Sequence, residues 1–350
     1  GRLALFANTT GAANTAVGYN SLQLNTTADN NTAVGNNCLA NNTTGANNVA
    51  MGDGALNANT TASNNTGLGK GALLLNTTGA FNTGVGSLAL DAQTTADANT
   101  AVGYAAGSAV TTGGNHSVLG YAALQVNTTG ASNTAIGALA MQQNTTGDNN
   151  TAVGNEALRY NTTGTRNVAV GSISLDANTT GSDNTACGYQ ALSTNTTGID
   201  NSAFGSGALV LTTGSNNTAC GSAALDACTT GGGNCAVGRE ALGVLTTGGS
   251  NTAMGLNAGI VLTTGDNNLL LGLAAGHSSS PSGNITTGSN NVCLGNNNIT
   301  DLFCKVSTIQ TSDLRDKTDI NDFSYGLSWV EKLRPITYRW DMRSSYEDGK

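Results

Sequence analysis

The sequence predicts an all-β fold: a parallel β-solenoid, or β-roll, with one coil for each 17-residue copy of a repeat. Three observations predict this fold. A short unit recurs through most of the 350 residues, its fixed positions carry Asn, Thr and Gly, and Gly is abundant at 48 residues. Gly and Asn disfavour helices, and the unit is shorter than helical-hairpin repeats, which need about 30 residues or more.

The repeat occurs in 17 copies, and most copies begin with Asn-Thr-Thr. The spacing is 17 residues, except for one copy of 16 before Leu211 and one of 23 before Ile285. The extra residues lie around "HSSSPSGN", which we interpret as a surface loop. The copies begin at Asn8, Asn25, Asn42, Asn59, Asn76, Gln93, Val110, Asn127, Asn144, Asn161, Asn178, Asn195, Leu211, Cys228, Leu245, Leu262 and Ile285.

Several positions hold one residue type in nearly every copy. The second and third positions are Thr and the eleventh is Gly throughout, while the seventh is Asn except at His116. The tenth position is always apolar, as at Val17 and Met51, and the fourteenth and fifteenth are usually Ala-Leu. Such regularity indicates a fold in which equivalent positions of successive copies contact one another.

The pentapeptide "NTAVG" predicts a short strand that ends at the Gly. Stacked copies would place Val over Val and Asn over Asn, and the stacked Asn side chains can hydrogen-bond in ladders. The Gly of the eleventh position is explained by a positive φ or by close approach of two backbones. We expect the apolar residues at positions ten and fifteen to form the core.

With about 4.8 Å per coil, the copies would build a rod on the order of 80 Å long. Each coil holds few bulky apolar side chains, which is little core for a single thin rod. We therefore expect several chains to share one axis, and a homotrimer is the natural closed symmetry for a fibre.

Charge and hydropathy exclude several classes of partner. The net charge of −8 argues against nucleic-acid binding, which needs a basic face. No run of 18 apolar residues occurs, so we expect no membrane insertion. No motif predicts a cofactor or a metal site. We interpret "GRLALFA" at the start as the end of an earlier copy, and the chain as a segment of a longer polypeptide.

The seven cysteines match no C-x-x-C pair and no zinc-ligand spacing. Cys187 and Cys220 occupy the tenth position, so we expect small apolar side chains buried in the core, with a disulfide framework or metal site as the alternative. The Asn-Thr-Thr starts match the N-glycosylation sequon, but a turn held by Asn and Thr side chains also explains them.

The repeats "NTAVGYNSL" and "NTAIGALAM" resemble the repeats of YadA-like trimeric adhesin heads over about half of each copy. That resemblance implies a trimer of left-handed β-rolls and carries over no binding residue. The long runs of "NTTG", "NTAVG" and "AL" also resemble repeat regions of phage and algal-virus tail-fibre proteins.

The composition changes near Thr300, since residues 301–350 hold 17 of the 34 charged residues and 7 of the 15 aromatic residues. "SYGLSWVEKLRPITYRW" predicts a short helix that Pro335 ends, followed by a strand. We therefore expect a solenoid shaft over 1–299, a linker over 300–311 and the start of an α+β domain over 312–350.

The segment "TSDLRDKTDINDF" followed by "GLSWVEKLRPITYRWD" resembles the opening of the peptidase S74 family, the intramolecular chaperone of endosialidase-type tail spikes. The resemblance implies a domain that trimerises the fibre, assists its folding and then cuts itself off. It assigns Ser312 as the nucleophile, Lys317 as its base and the Thr311–Ser312 bond as the scissile bond. The alternative is that Ser312 and Lys317 are solvated loop residues.

Lys317 can act as a base only if burial or a nearby positive charge lowers its pKa, and Arg315 is a candidate for that charge. No cluster of His, Asp or Glu in the repeats indicates an enzyme that acts on external substrates.

These features together predict a structural tail-fibre shaft that projects a host-attachment region from a virion into the extracellular space. Expected partners are two further copies of the chain, other fibre or virion proteins and a host-surface receptor, for which a glycan is one candidate. The alternative is a trimeric cell-surface adhesin or extracellular appendage built from the same repeats, which an outer-membrane anchor would mark.

Overall fold

The computed structural model describes residues 1–301 of the chain. Within that part, one three-residue strand recurs in each copy, and all 17 strands are parallel members of a single sheet in chain order. The strands are β1 Thr15–Val17, β2 Thr32–Val34, β3 Val49–Met51, β4 Thr66–Leu68, β5 Thr83–Val85, β6 Thr100–Val102, β7 Ser117–Leu119, β8 Thr134–Ile136, β9 Thr151–Val153, β10 Val168–Val170, β11 Thr185–Cys187, β12 Ser202–Phe204, β13 Thr218–Cys220, β14 Cys235–Val237, β15 Thr252–Met254, β16 Leu269–Leu271 and β17 Val292–Leu294.

Each strand pairs in register with the equivalent strand of the next copy, as where Thr15 lies opposite Thr32. The rest of the coil follows the same rule, because Leu39 N donates to Ala55 O at 3.0 Å and Thr43 N donates to Thr60 O at 2.8 Å. Every copy is therefore one coil, here called a rung, and the predicted parallel β-solenoid is confirmed. No helix in the described part is long and apolar enough to cross a membrane.

The core is a narrow column of small and medium side chains. The middle residue of every strand from β2 to β17 is buried, as at Ala33 and Ala186. Position fourteen adds a buried Ala or a similarly small residue in most rungs, and position fifteen adds a fully buried Leu such as Leu158. Burial of one such Leu contributes about 1.5–3 kcal/mol, so the fifteenth position supplies most of the apolar stabilisation of a rung.

The buried Leu residues adopt a left-handed backbone, with φ of 53° at Leu158. This conformation costs an ordinary residue about 1–2 kcal/mol, which the burial of the Leu side chain offsets. Gly107 takes the fifteenth position in its rung, and the next rung then begins with the buried Val110 instead of Asn. Gly259 with Leu262 and Gly276 with Ile285 repeat this exchange. In these rungs the large apolar side chain is at the first position of the next rung instead of at the fifteenth position.

The first position forms a ladder of buried amides in two runs, from Asn8 to Gln93 and from Asn144 to Asn195. Asn42 Nδ2 donates to Asn25 Oδ1 at 3.0 Å and to Gly45 O at 2.8 Å, and Asn59 repeats the pattern on Asn42. The adjacent Thr43 hydroxyl donates to Thr60 O at 3.0 Å. These contacts confirm both the predicted Asn ladder and the interpretation of Asn-Thr-Thr as a structural turn.

A second amide ladder runs through the seventh position. Asn48 N donates to Asn31 Oδ1 at 2.9 Å, while Asn48 Nδ2 donates to Ala62 O in the next rung at 2.9 Å. Asn48 Oδ1 in turn accepts from Asn65 N at 3.0 Å. Each such residue therefore ties three successive rungs together through its backbone N–H and its side-chain amide, which explains why the seventh position is Asn in all but one copy.

His116 continues this ladder with an imidazole ring. Its backbone N donates to Asn99 Oδ1 at 2.9 Å, and its Nδ1 accepts from Asn133 N at 3.2 Å. The side chain is only 1% exposed. Because Nδ1 accepts, the neutral ring carries its proton on Nε2, and a second proton on Nδ1 would face the Asn133 N–H donor.

His116→Asn is expected to remove a loss of folding stability that the shaft suffers at acidic pH. Burial lowers the pKa of His116, against smaller opposing effects of hydrogen bonds and of the Asp148 carboxylate. The unfolded chain therefore binds more protons, and the contribution of neutral His116 is lost as the pH falls below 6.5 through the folded-state pKa. Thermal unfolding at pH 7.5 and 5.0 should show a loss of about 1–2 kcal/mol in the parent that the variant lacks.

His277 provides the matched control, because it lies in the 277–284 loop outside the ladder. His277→Asn should keep the acid-dependent loss of the parent. An identical pH dependence in the parent and in His116→Asn would contradict the role given to the imidazole.

The 16-residue copy has a different register from the one that its sequence suggests. Thr212, not Leu211, occupies the buried first position, since Thr212 is 0% and Leu211 48% exposed. Leu211 N donates to Asp226 O as a seventeenth-position residue does, and the Thr213 hydroxyl donates to Thr229 O. The copy therefore lacks one Thr of the turn, and the interpretation that both Thr residues keep their usual positions there is wrong.

The 23-residue copy places its additional residues outside the rung. Pro281, Ser282 and Asn284 are exposed, and no strand occurs between β16 and β17. The predicted surface loop is confirmed.

Candidate assembly surface

The tenth-position side chains point away from the core. Each three-residue strand alternates, so its middle residue faces inward and its first and third residues face outward. None of the third residues is buried. The expectation that position ten fills the core is therefore wrong, since the inward position is the ninth. The column comprises Val17, Val34, Met51, Leu68, Val85, Val102, Leu119, Ile136, Val153, Val170, Cys187, Phe204, Cys220, Val237, Met254, Leu271 and Leu294.

The eighth-position column lies beside it on the same outward face, here called the strand face. It consists mostly of Thr, with Val49 and Val168 among the apolar exceptions. Neither column contains a charged residue in any of the 17 strands. An uncharged β-branched and apolar sheet face is unusual for a surface that stays in water.

The size of the strand face fits a protein–protein interface. A three-residue strand spans about 10 Å and the stacked rungs about 80 Å, which gives on the order of 800 Å² per copy. A stable interface buries about 800 Å² on each partner, whereas monomers rarely expose contiguous apolar patches above a few hundred Å². This face can therefore support association with a further sheet of the same kind.

The cysteines divide between the core and the strand face. Cys38, Cys228 and Cys293 are buried, and burial raises the pKa of the Cys38 and Cys228 thiols. Cys187 and Cys220 are exposed, so the expectation that they are core residues is wrong. Both are free thiols on the strand face, as is the half-buried Cys235 at the eighth position of β14, and no disulfide joins cysteines of residues 1–301.

One group of charged residues on the shaft has a perturbed carboxyl. Burial raises the pKa of Asp176 to about 6, with a further contribution from the Glu156 carboxylate and an opposing one from Arg159. Arg159 Nη1 lies 3.3 Å from Glu156 Oε2. Residues 1–301 contain no group of three or more His, Cys, Asp or Glu side chains that could hold a metal ion.

The predicted self-cleavage residues lie outside the described residues. These are the nucleophile Ser312, the base Lys317, the candidate charge Arg315 and the scissile bond after Thr311. Their assignment stays a prediction, as does the expected α+β structure of residues 312–350. The described site is thus the strand face, which sequence reasoning placed in the core.

A known protein family is similar to the end of the chain. Residues 312–350 are similar to the family Peptidase_S74, described as the chaperone of endosialidase. No curated protein matches the chain. The match covers the segment that follows the solenoid, and the resemblance of the repeats to YadA-like heads stays a prediction.

Proposed function

We propose that this chain is the shaft of a homotrimeric tail fibre, followed by the start of a self-cleaving chaperone domain. A chaperone-of-endosialidase match behind a parallel β-solenoid fits a tail-fibre-like protein. The observation that carries the proposal is the strand face, an uncharged surface of apolar and Thr side chains along the 17 described strands. The proposed boundaries are 1–299 for the shaft, 300–311 for a linker and 312–350 for the chaperone segment.

The shaft is suited to project another part of the fibre, because every rung is tied to its neighbours. The backbone bonds between rungs and the two amide ladders resist both bending and sliding of one rung over the next. The proposed task is mechanical: to hold a host-attachment region away from a virion, in the extracellular space. Other fibre or virion proteins and a host-surface receptor are the proposed partners.

Three copies would bury the strand face that a single copy exposes. Since the matched family segment follows the solenoid at one end, a shared chaperone would hold the same ends of the three chains together. The copies would then run parallel, with their strand faces turned toward a common axis. Chains without such partners would leave the tenth-position column in water.

The proposed cleavage uses Ser312 and Lys317. The Ser312 hydroxyl would attack the carbonyl carbon of Thr311 while Lys317 accepts the hydroxyl proton. The Thr311–Ser312 C–N bond would then break, with that proton passing to the Ser312 amine, and water would hydrolyse the resulting Thr311 ester to a free carboxylate and the Ser312 hydroxyl. Arg315 would help to keep Lys317 neutral by disfavouring a second positive charge nearby. Such a dyad would form only in the assembled domain, which would couple cleavage to completion of the trimer.

Ser312→Ala is expected to abolish processing of a protein extended through the complete chaperone domain. The parent should release a fragment that begins at Ser312, while the variant should keep its uncleaved mass because it lacks the nucleophile. Intact-mass spectrometry and N-terminal sequencing measure both outcomes. Ser307→Ala is the control and should be processed like the parent, whereas equal processing of Ser312→Ala would remove the dyad assignment.

A further inference from the structure

Three consecutive residues of the tenth-position column form a small–large–small pattern. Cys187 of β11 lies opposite Phe204 of β12, which in turn lies opposite Cys220 of β13. All three side chains are exposed, Phe204 to 45%. Neighbouring levels are about 4.8 Å apart. The single aromatic residue of the column is therefore flanked by its two smallest side chains.

A closed ring of identical chains fixes the heights of its members. If the three chains are related by rotation about the rod axis, each rung of one chain lies at the same height as the equivalent rung of the other two chains. The Phe204 side chains of the three chains would then lie at the same height along the axis. Three aromatic rings at one height need space in the rungs above and below. Cys187 and Cys220 leave that space, because each is smaller than the Val, Leu, Ile or Met found elsewhere in the column.

We infer that the strand faces of neighbouring copies meet rung for rung, so that Cys187 contacts Cys187 and Cys220 contacts Cys220 of the next copy. This inference rests on the proposed homotrimeric shaft, with its parallel chains and inward strand faces, and adds the register of the contact. The chain thus carries two native reporters of its own alignment, separated by two rungs.

Oxidation of the thiols to disulfides tests whether equivalent cysteines of neighbouring chains lie next to each other. A disulfide forms when the two Cβ atoms lie about 3.5–4.5 Å apart, which only closely apposed residues satisfy. Two thiols lose two protons and two electrons to an added copper–phenanthroline oxidant, and one sulfur–sulfur bond forms. Within a ring of three copies, two thiols at a level can pair and the third stays free.

The test uses the full-length protein with one reporter cysteine left at a time. The Cys187 reporter carries Cys220→Ser, Cys235→Ser and Cys304→Ser, and the Cys220 reporter carries Cys187→Ser in place of Cys220→Ser. The buried Cys38, Cys228 and Cys293 stay in both. Each reporter should give a covalent dimer on a non-reducing gel, reversible by dithiothreitol, and peptide mass spectrometry should identify the homotypic disulfide.

The control is a cysteine on another side of the rung. Ser132→Cys, in a background with Cys187, Cys220, Cys235 and Cys304 replaced by Ser, places an exposed thiol at the sixth position. It should give no dimer. Dimer formation equal to that of the reporters would contradict the assigned face.

Two outcomes separate this inference from the proposed function. A trimer by sedimentation equilibrium in which neither reporter forms a homotypic disulfide would overturn the register while leaving the trimeric shaft in place. A monomer by sedimentation would overturn the proposed function, and the inference with it.

Discussion

Gly154→Ala is expected to destabilise the shaft by roughly 3 kcal/mol or more. Gly154 has a φ of +142°, which residues with a Cβ rarely adopt. A Cβ there would lie 2.5 Å from Gly171 O and 2.6 Å from Gly171 C in the next rung. Both neighbours are backbone atoms held by rung-to-rung hydrogen bonds, so no side chain can move aside. Thermal or denaturant unfolding of parent and variant measures the loss.

Gly207→Ala is the matched control, because Gly207 also has a positive φ, of +66°. The nearest atom to a Cβ at this position is Val210 Cγ2 at 3.8 Å, and another rung has Ala105 at the equivalent position with a φ of 51°. The cost should be about 1 kcal/mol or less. Equal losses for the two variants would show that close backbone approach does not explain the eleventh-position Gly.

Phe204→Asp is expected to convert the proposed trimer to monomers at micromolar concentration without unfolding the rung. The side chain is already 45% exposed in one copy, so a carboxylate there remains solvated in the monomer. In the proposed trimer three carboxylates would share one desolvated level, which costs several kcal/mol. Multi-angle light scattering gives the mass, and far-UV circular dichroism shows whether the solenoid is retained.

Phe81→Asp tests whether position or mere loss of an aromatic residue matters. Phe81 is 65% exposed and lies at the sixth position, away from the strand face. This variant should remain a trimer. Dissociation of both variants, or of neither, would contradict the assignment of the strand face as the assembly surface.

The sequence predicted the repeat geometry well where one residue type is demanded by the backbone. The eleventh-position Gly was expected to have a positive φ or a close backbone neighbour, and Gly154 has both. The Asn ladders were expected from their constancy, and Asn42 and Asn48 show the hydrogen bonds that require an amide. In these cases one residue type meets a backbone or hydrogen-bonding requirement that recurs from rung to rung.

The orientation of the strand was predicted wrongly because apolar character alone was taken as a sign of burial. The inward ninth position is Ala or Gly in most rungs, as at Ala152 and Ala186, and it holds the larger Val118 and Leu270 in two of the described rungs. The tenth position ranges from Cys187 through Val153 to Phe204, a spread of volumes that a packed core would not accept. Variation in size was therefore the signal that this column faces outward.

A two-rung alternation in the first copies also escaped sequence reasoning. Asp29 Oδ1 accepts from Ala12 N at 2.6 Å, and Ser63 Oγ accepts from Ala46 N at 3.0 Å. A side chain on every second rung thus satisfies the backbone of the rung before it. The fifth position alternates between Ala and Asp or Ser in these copies. The alternation has a period of two copies, so a comparison of single copies does not show it.

The left-handed Leu of the fifteenth position could not be predicted from residue preference. Leu disfavours this backbone, and only the neighbouring rungs, which bury its side chain, make the conformation favourable. For the self-cleavage dyad the sequence is the only source. Ser312 and Lys317 are assigned from a motif, and both lie outside the described residues.

The mass of the full-length protein in solution tests the central claim most directly, because the strand face needs partner chains to cover it. Sedimentation equilibrium on the purified protein should give three times the mass of one chain, with no monomer at micromolar concentration. A stable, soluble monomer that retains the β circular dichroism signal of the solenoid would contradict the claim, since the tenth-position column would then remain exposed to water.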